Sequence, residues 1–506
     1  MELQAELAAP HGVKRWMRFG TSIVWFRRDL RLADHVALER AQRDSDRVVC
    51  AFVLDPDLLR SERVGAPIVS FFFDALTELR ATLRSRGSDL ALLEGRFLEE
   101  LSALARRVDA SAVYFNADYD PHAVARDEAV TTGLRAAGLD VTSFIDHVYY
   151  GAHEIRKDDG EPYKVYTPYR RRWQQQHEAD PRLPVDSLST LGAKLAPRNV
   201  VGETRDMPLP EEYGHASSAH YPKGGEGRAK RMLEAFVAAP IADYAETRNF
   251  PALAGTSHLS PHLRAGTIGI RTCVHAALGA PRDLKRRTFG LETWVGELIW
   301  RDFYQQILAN YPRVSAEPFL AEARNLQYRD SADDFLAWCE GRTGYPIVDA
   351  AMTQLNTFGW MHNRLRMVVA SFLTKDLLLD YSLGERYFER HLADADMAAN
   401  NGGWQWTAST GTDAAPYFRV FNPILQSKRF DPDGSFIRTM LPALANVRGA
   451  AIHAPWTLTP MEAELAGFEL GRDYPHRIVD HSEARARALA FFSTAGLLKR
   501  SFKSDA

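Results

Sequence analysis

Between Thr21 and Tyr150, short apolar and β-branched runs alternate with stretches whose apolar residues return every three or four positions. The runs are Ser22–Trp25, Val48–Leu54, Leu90–Leu93, Val113–Asn116 and Val141–Ile145. Strands that read as continuous apolar runs are buried on both faces, which predicts a parallel sheet with helices on either side. Between the second and third runs, Ile68, Phe71, Phe72, Leu76, Leu79 and Leu83 fall on one helical stripe. Residues 21–150 are therefore expected to form a Rossmann-like parallel α/β domain. The turn after the first run reads Phe26-Arg27-Arg28-Asp29-Leu30-Arg31 and lacks the glycines of a dinucleotide fingerprint, although the strand ends still suit a nucleotide-like chromophore.

Over residues 151–225 the prolines Pro162, Pro168, Pro181, Pro184, Pro197, Pro208, Pro210 and Pro222 interrupt sustained periodicity, so a long interdomain linker is expected there. From 226 to 506 helical spacing takes over and strand alternation largely disappears, which predicts an all-helical second domain. Residues 1–20 form an N-terminal extension, of which the first 17, ending in Met17, suit either a disordered segment or a mis-set start codon.

Composition narrows the classes. Hydrophobic residues at 45% and charged residues at 25% are ordinary for a folded protein and exclude a fibrous or wholly disordered chain. Lys and Arg number 62 against 65 Asp and Glu, so any nucleic-acid surface must be a local basic patch. Cys50, Cys273 and Cys339 are too few and too scattered for a disulfide framework or a zinc site, which suits a reducing compartment and no metal. No apolar run approaches the ~18 residues of a membrane span, and a cytoplasmic protein is expected.

Four segments of the second half carry candidate chemistry. Thr256-Ser257-His258-Leu259-Ser260-Pro261 sets hydroxyls ahead of a helix, with Ser260 as expected N-cap; the same pattern serves a phosphate or an ordinary cap. In Trp294–Tyr304, Glu297 and Arg301 lie four apart beside Trp294 and Trp300, an arrangement that suits either a surface ion pair or a stacked, edge-bonded base. Trp360–Met367 places polar residues ahead of an apolar helix, and His362 there suits a core hydrogen bond better than acid–base work. Asp394 and Asp396 precede Asn400, Trp404 and Trp406 without an accompanying His cluster, which favours a hydrogen-bonding rim for a heterocycle over a metal site. Beyond them come a buried-looking Tyr417–Phe418 pair and the cations Arg419, Lys428 and Arg429.

Together these segments resemble the photolyase/cryptochrome family, most closely its class I cyclobutane pyrimidine dimer photolyases. The likeness runs from Trp25-Phe26-Arg27-Arg28-Asp29-Leu30-Arg31-Leu32 to about Trp456 and includes Gly255–Ser260, WMHNRLRM at Trp360–Met367, NNGGWQW at Asn400–Trp406 and STGTDAAPYFR at Ser409–Arg419. It implies an N-terminal antenna domain and a C-terminal helical domain that binds FAD. Tyr244, Thr256, Ser257, His258, Leu259 and Ser260 would meet the flavin phosphates and sugar, with Trp294 and Trp360 among the cofactor contacts. Asp394, Ala395 and Asp396 would lie at the ring's polar edge, Arg366 would pair with Asp394, and Asn400 would face the ring's central nitrogen without supplying an acid.

The implied activity is that of a deoxyribodipyrimidine photo-lyase: photoexcited reduced FAD donates an electron to a flipped-out dimer, the cyclobutane bonds break, and the electron returns. Trp300 and Trp406 would stack on the dimer, Glu297 would bond its base edges, and Asn363 and Met367 would shape the pocket floor. Arg248, Arg301, Arg364, Arg419, Gln426 and Lys428 would grip phosphates of double- or single-stranded DNA, with Glu297 and Asn363 also touching the damaged strand. A monomer with no obligate protein partner is expected.

Two features depart from the family. Of the three tryptophans that usually recharge the flavin only Trp404 matches; Tyr381 and Tyr328 stand at the other two places, and Trp338 offers a detour. Folate-binding members carry Asn-Glu where this chain has His122-Ala123, so the usual folate contact is missing; a deazaflavin or flavin near Arg27, Arg28 and Asp118, or no antenna pigment, remains. A cryptochrome-type blue-light signalling protein is the main alternative. A six-four photolyase would place histidine near Asn363 and Met367, and a DASH-type relative usually has Tyr where Trp406 stands.

Overall fold

The computed structural model describes residues 19–280, 285–413 and 419–498. Residues 1–18 of the expected extension and the Tyr417–Phe418 pair lie outside the described residues. Among the described residues five strands form: β1 Phe19–Phe26, β2 Ser45–Leu54, β3 Leu90–Glu94, β4 Ala112–Ala117 and β5 Asp140–Ile145. Their order is β3-β2-β1-β4-β5, and every neighbouring pair is parallel. Ile23 stands opposite Val49 and Val113, and Val24 opposite Cys50 and Tyr114. Successive side chains of β1 enter different cores. Val24 and Phe26 pack with Leu76 and Leu79 of the helix Ala66–Ser85, whereas Ile23 and Trp25 pack with Leu101 and Leu104 of the helix Phe97–Arg107. Both faces are dry, which is why the strands read as unbroken apolar runs.

The stretch expected to be a linker is instead built into both domains. Tyr166, Tyr169 and Trp173 recur at helical spacing and form one face of the helix Tyr166–Ala179, which packs against Leu291, Trp294 and Phe303 of the second domain. Pro168 falls in the first turn of that helix, where its missing N–H costs no hydrogen bond. Farther on, Leu191, Leu195 and Tyr213 return to one core of the sheet and Val201 to the other.

Among the described residues after 226 no strand forms apart from an isolated bridge at Leu470 and Tyr474. The longest helix, Lys285–Asn310, carries Trp294, Glu297 and Trp300. Its Asp302 carboxylate is buried and accepts Tyr149 N at 3.2 Å, Tyr150 N at 3.3 Å and Trp173 Nε1 at 3.1 Å, so it ties the helix to the chain leaving β5. A second tie is ionic. Asp146 lies between Arg31 and Arg271, and Arg271 also binds Asp34 at 2.8 Å, which closes two cations on two carboxylates at the domain seam. No described helix is long and apolar enough to cross a membrane.

Candidate active site

The hydroxyl segment, the Trp360 segment and the paired aspartates converge. Trp360 Nε1 donates to Ser260 Oγ at 3.3 Å, and its ring lies 4.4 Å from that of His258, whose backbone takes φ 52°. Ser260 opens the helix Ser260–Ala265 but does not cap it; Leu259 is the N-cap residue and the Ser260 hydroxyl goes to the indole. Gly255 permits the approach: a Cβ there would lie 2.6 Å from Thr247 Oγ1. His362 caps the helix Asn363–Ser371 by accepting Arg364 N at 3.2 Å, and burial beside His258, Arg366 and Arg364 lowers its pKa to about 4.

The two aspartates part company. Arg366 Nη2 donates to Asp394 Oδ2 at 2.7 Å, whereas Asp394 Oδ1 is buried with no partner. Asp396 is spent elsewhere: it caps the helix Met397–Ala408, accepts Gln305 Nε2 at 2.9 Å, and is bonded by Arg28 from the turn after β1. Against the upward push of burial, Arg28 and Arg301 hold Asp396 below the usual carboxylate range. Both oxygens of Asp396 have protein partners, whereas Asp394 keeps one open acceptor.

Asn400 Nδ2 donates to Glu385 O at 2.9 Å, so the amide keeps its oxygen as acceptor. Glu385 itself accepts Asn401 Nδ2 at 3.0 Å, and burial pushes its carboxyl up to about 7. Trp404 is 2% exposed, its Nε1 has no partner, and a Cβ at Gly384 would lie 2.1 Å from its ring. An unpartnered carboxylate oxygen beside a fixed guanidinium, with an amide acceptor in the same segment, fits the polar edge of a flavin ring.

Of the two readings of the Glu297–Arg301 spacing, the ion pair does not form. Glu297 Oε1 takes Arg248 Nη1 at 2.6 Å, and the Arg301 guanidinium turns inward to His147 O and Leu263 O. Arg301 thus joins the domains. Arg364 donates to Asn249 Oδ1 at 2.7 Å and lies 4.5 Å above Phe430, a ring that Arg429 also approaches at 5.1 Å. Burial, with Arg248 and Arg429 close by, lowers Arg364 to about 10, and it remains charged at neutral pH. Arg419 and Lys428 are exposed; Trp406, Met367 and Gln426 are half-buried and Asn363 is exposed.

Trp300 is clamped. Its ring stacks on Tyr166 at 3.6 Å and 9°, and the Tyr166 hydroxyl donates to Gly296 O at 2.7 Å. Tyr166 escaped the sequence reading because it lies among prolines; its three- and four-residue spacing to Tyr169 and Trp173 was the available signal. Tyr244 and Trp294 are buried around Phe236, so their rings serve the core.

A cavity of about 740 Å³ extends from the strand ends to the helical domain. Arg27, Arg28, Asp118, His147, Asp396 and Asn400 lie on its wall, as do His122 and Ala123. Arg28 binds Asp118 at 2.9 Å, and burial lowers His147 to about 4.

A parallel sheet joined to helices whose open carboxylate, guanidinium and amide suit a flavin defines the photolyase/cryptochrome class. Residues 22–187 match the DNA photolyase family model and residues 294–494 the model of the FAD binding domain of DNA photolyase. The deoxyribodipyrimidine photo-lyase of Alkalihalophilus pseudofirmus is 40% identical over 93% of this chain and 97% of its own length. The chain belongs to the DNA photolyase family. A bacterial class III photolyase from Agrobacterium tumefaciens superposes with a TM-score of 0.86 at 34% identity, over 96% of this chain and all of that one (100%). An archaeal photolyase from Sulfolobus tokodaii, solved with two FAD molecules, gives 0.79 at 30% identity over 94% of this chain and 100% of its own.

Proposed function

We propose that this chain repairs cyclobutane pyrimidine dimers in DNA in a light-dependent reaction. The observation that carries the reading is the Trp300 indole held flat on Tyr166, one helical turn from Glu297, which binds Arg248, with Arg364 close to Arg248. Bound FAD, reduced and excited by light, supplies one electron to the dimer and recovers it when the carbon–carbon bonds have opened.

Asp394 Oδ1 would accept an N–H of the ring's polar edge, and Arg366 keeps that carboxylate charged and oriented. Asn400 offers an acceptor and no acid, which suits a cofactor held reduced. His258, Thr256, Ser257 and Ser260 would receive the sugar and phosphates. Extruding a dimer costs a few kcal/mol, least where damage has already weakened stacking. Trp300 and Trp406 would restore stacking, Glu297 would bond the base edges, and Asn363 and Met367 would close the floor. Arg364, Arg419, Gln426 and Lys428 would hold phosphates, in single- or double-stranded DNA. The protein would act as a monomer in the cytoplasm. The 740 Å³ cavity, open to Arg27, Arg28 and Asp118, has room for a flat pigment such as a flavin or deazaflavin.

Ultraviolet-irradiated oligothymidine mixed with the reduced, FAD-loaded protein is expected to lose its dimers under blue light and keep them in darkness. Dimers that persist under illumination would refute repair and favour signalling.

A further inference from the structure

The cations around Trp300 differ in whether the protein already holds them. Arg248 is bonded to Glu297 at 2.6 Å, Arg364 to Asn249 at 2.7 Å, and Arg301 to the carbonyls of His147 and Leu263. Arg170 is different. It stands one helical turn after Tyr166 on the helix Tyr166–Ala179, and among the described residues no hydrogen bond or ion pair takes its guanidinium.

Packing nevertheless fixes its place. A Cβ added at Gly296 would lie 3.6 Å from Arg170 Nη1 and 3.6 Å from the Tyr166 hydroxyl, so the guanidinium rests over the glycine of the helix that carries Glu297 and Trp300. Tyr166 itself is fully engaged: its ring stacks on Trp300, its hydroxyl donates to Gly296 O, and its backbone N–H donates to Asp413 Oδ1 at 3.0 Å. Burial raises the Tyr166 hydroxyl well above its ordinary range, and the charge on Arg170 is the strongest influence against that rise. A cation therefore sits against the stacked pair with its donors uncommitted.

Arg170 is also recessed. It is half-buried, whereas Arg419, Lys428 and Arg429 stand exposed. The backbone of a duplex that keeps its shape meets the exposed cations. A nucleotide turned out of the stack carries its phosphate with it, and that phosphate can travel as far as a recessed guanidinium, whose fork of N–H donors matches its oxygens. Resting on the repair activity proposed above, we propose that Arg170 binds a backbone phosphate of the extruded dimer, so that this ionic contact forms with damaged DNA and not with undamaged DNA.

The test is the salt dependence of binding by the full-length, FAD-loaded protein, followed in darkness by fluorescence anisotropy on a duplex with one thymine dimer and on the same duplex without it. Each phosphate neutralised steepens the plot of log affinity against log salt by about 0.9, so in the unaltered protein the damaged duplex should give a slope steeper by at least that much. Arg170→Gln should lower the damaged slope by about 0.9 and leave the undamaged slope in place, and Arg170→Lys, which keeps the charge, should preserve both. Equal slopes in the unaltered protein overturn the proposal without any variant. An Arg170→Gln loss on both duplexes or on neither overturns it too, as does an Arg170→Lys loss as large as that of Arg170→Gln. Illuminating the unaltered protein with the damaged duplex separates this contact from the activity beneath it. Dimers split alongside equal slopes remove Arg170 alone; dimers that persist remove the repair activity, and the proposal with it.

Discussion

The domain seam and the cluster around Asp394 are both rich in buried charge, yet they are organised in opposite ways. At the seam, Arg31 and Arg271 close on Asp34 and Asp146, and the carboxylates are consumed by protein partners. In the cluster, Arg366 takes only one oxygen of Asp394 and leaves the other buried and unpartnered, and Trp404 Nε1 is also unmatched. Burying a polar atom without a partner is costly, so an open acceptor is a statement about a ligand, whereas a closed network is a statement about the fold.

That contrast can be broken most forcefully at Asp146. Asp146→Ala leaves two guanidinium groups buried without their shared partner and is expected to cost ~3–5 kcal/mol in denaturant-melting stability. Asp394→Ala should instead leave the melting curve of the FAD-free protein nearly in place while weakening FAD retention by ~1.5–3 kcal/mol, read by flavin titration. Equal destabilisation by the two substitutions would erase the distinction. Trp300→Ala is expected to cost ~1–3 kcal/mol in affinity for dimer-containing DNA and less for undamaged DNA, as measured by fluorescence anisotropy. Lys428→Ala, at the exposed rim, should lower the slope of log affinity against log salt by about 1 and leave damage preference unchanged.

The smallest effects concern pH. Burial raises Glu385 to about 7, so the folded chain binds a proton the unfolded chain has lost, and this contribution to stability fades as pH rises through 7. His362, lowered to about 4, acts in reverse: the unfolded chain gains its proton first, and stability falls as pH drops below the ordinary imidazole range. Glu385→Gln should therefore stabilise the protein at pH above 7 relative to the unaltered chain. An unchanged alkaline limb in urea melts would show that Glu385 titrates alike in both states.

The central strands were legible because a sheet covered on both faces leaves mostly apolar residues to read, whereas the edge strand β5 exposes Asp140 and Ser143 and was legible by its β-branched and aromatic residues. The helix Tyr166–Ala179 was not, since its buried stripe of Tyr166, Tyr169 and Trp173 lies among prolines and polar residues and is recognisable only against the Trp294 face it packs on. Spacing placed Glu297 and Arg301 on one helix face, but the partner that Glu297 takes is Arg248, 49 residues earlier. Likewise Asp394 and Asp396 are near-equivalent in sequence, and only Arg28, 368 residues from Asp396, separates their roles. Local chemistry named the residues; distant charges decided which of them stay open.

The reach of Arg28 has a practical corollary. A single side chain from the turn after β1 ends on the carboxylate that starts the helix bearing Trp404 and Trp406. Grafting this helical half onto another α/β half would keep its aromatic walls in register only if the transplanted turn presented a guanidinium at the same place.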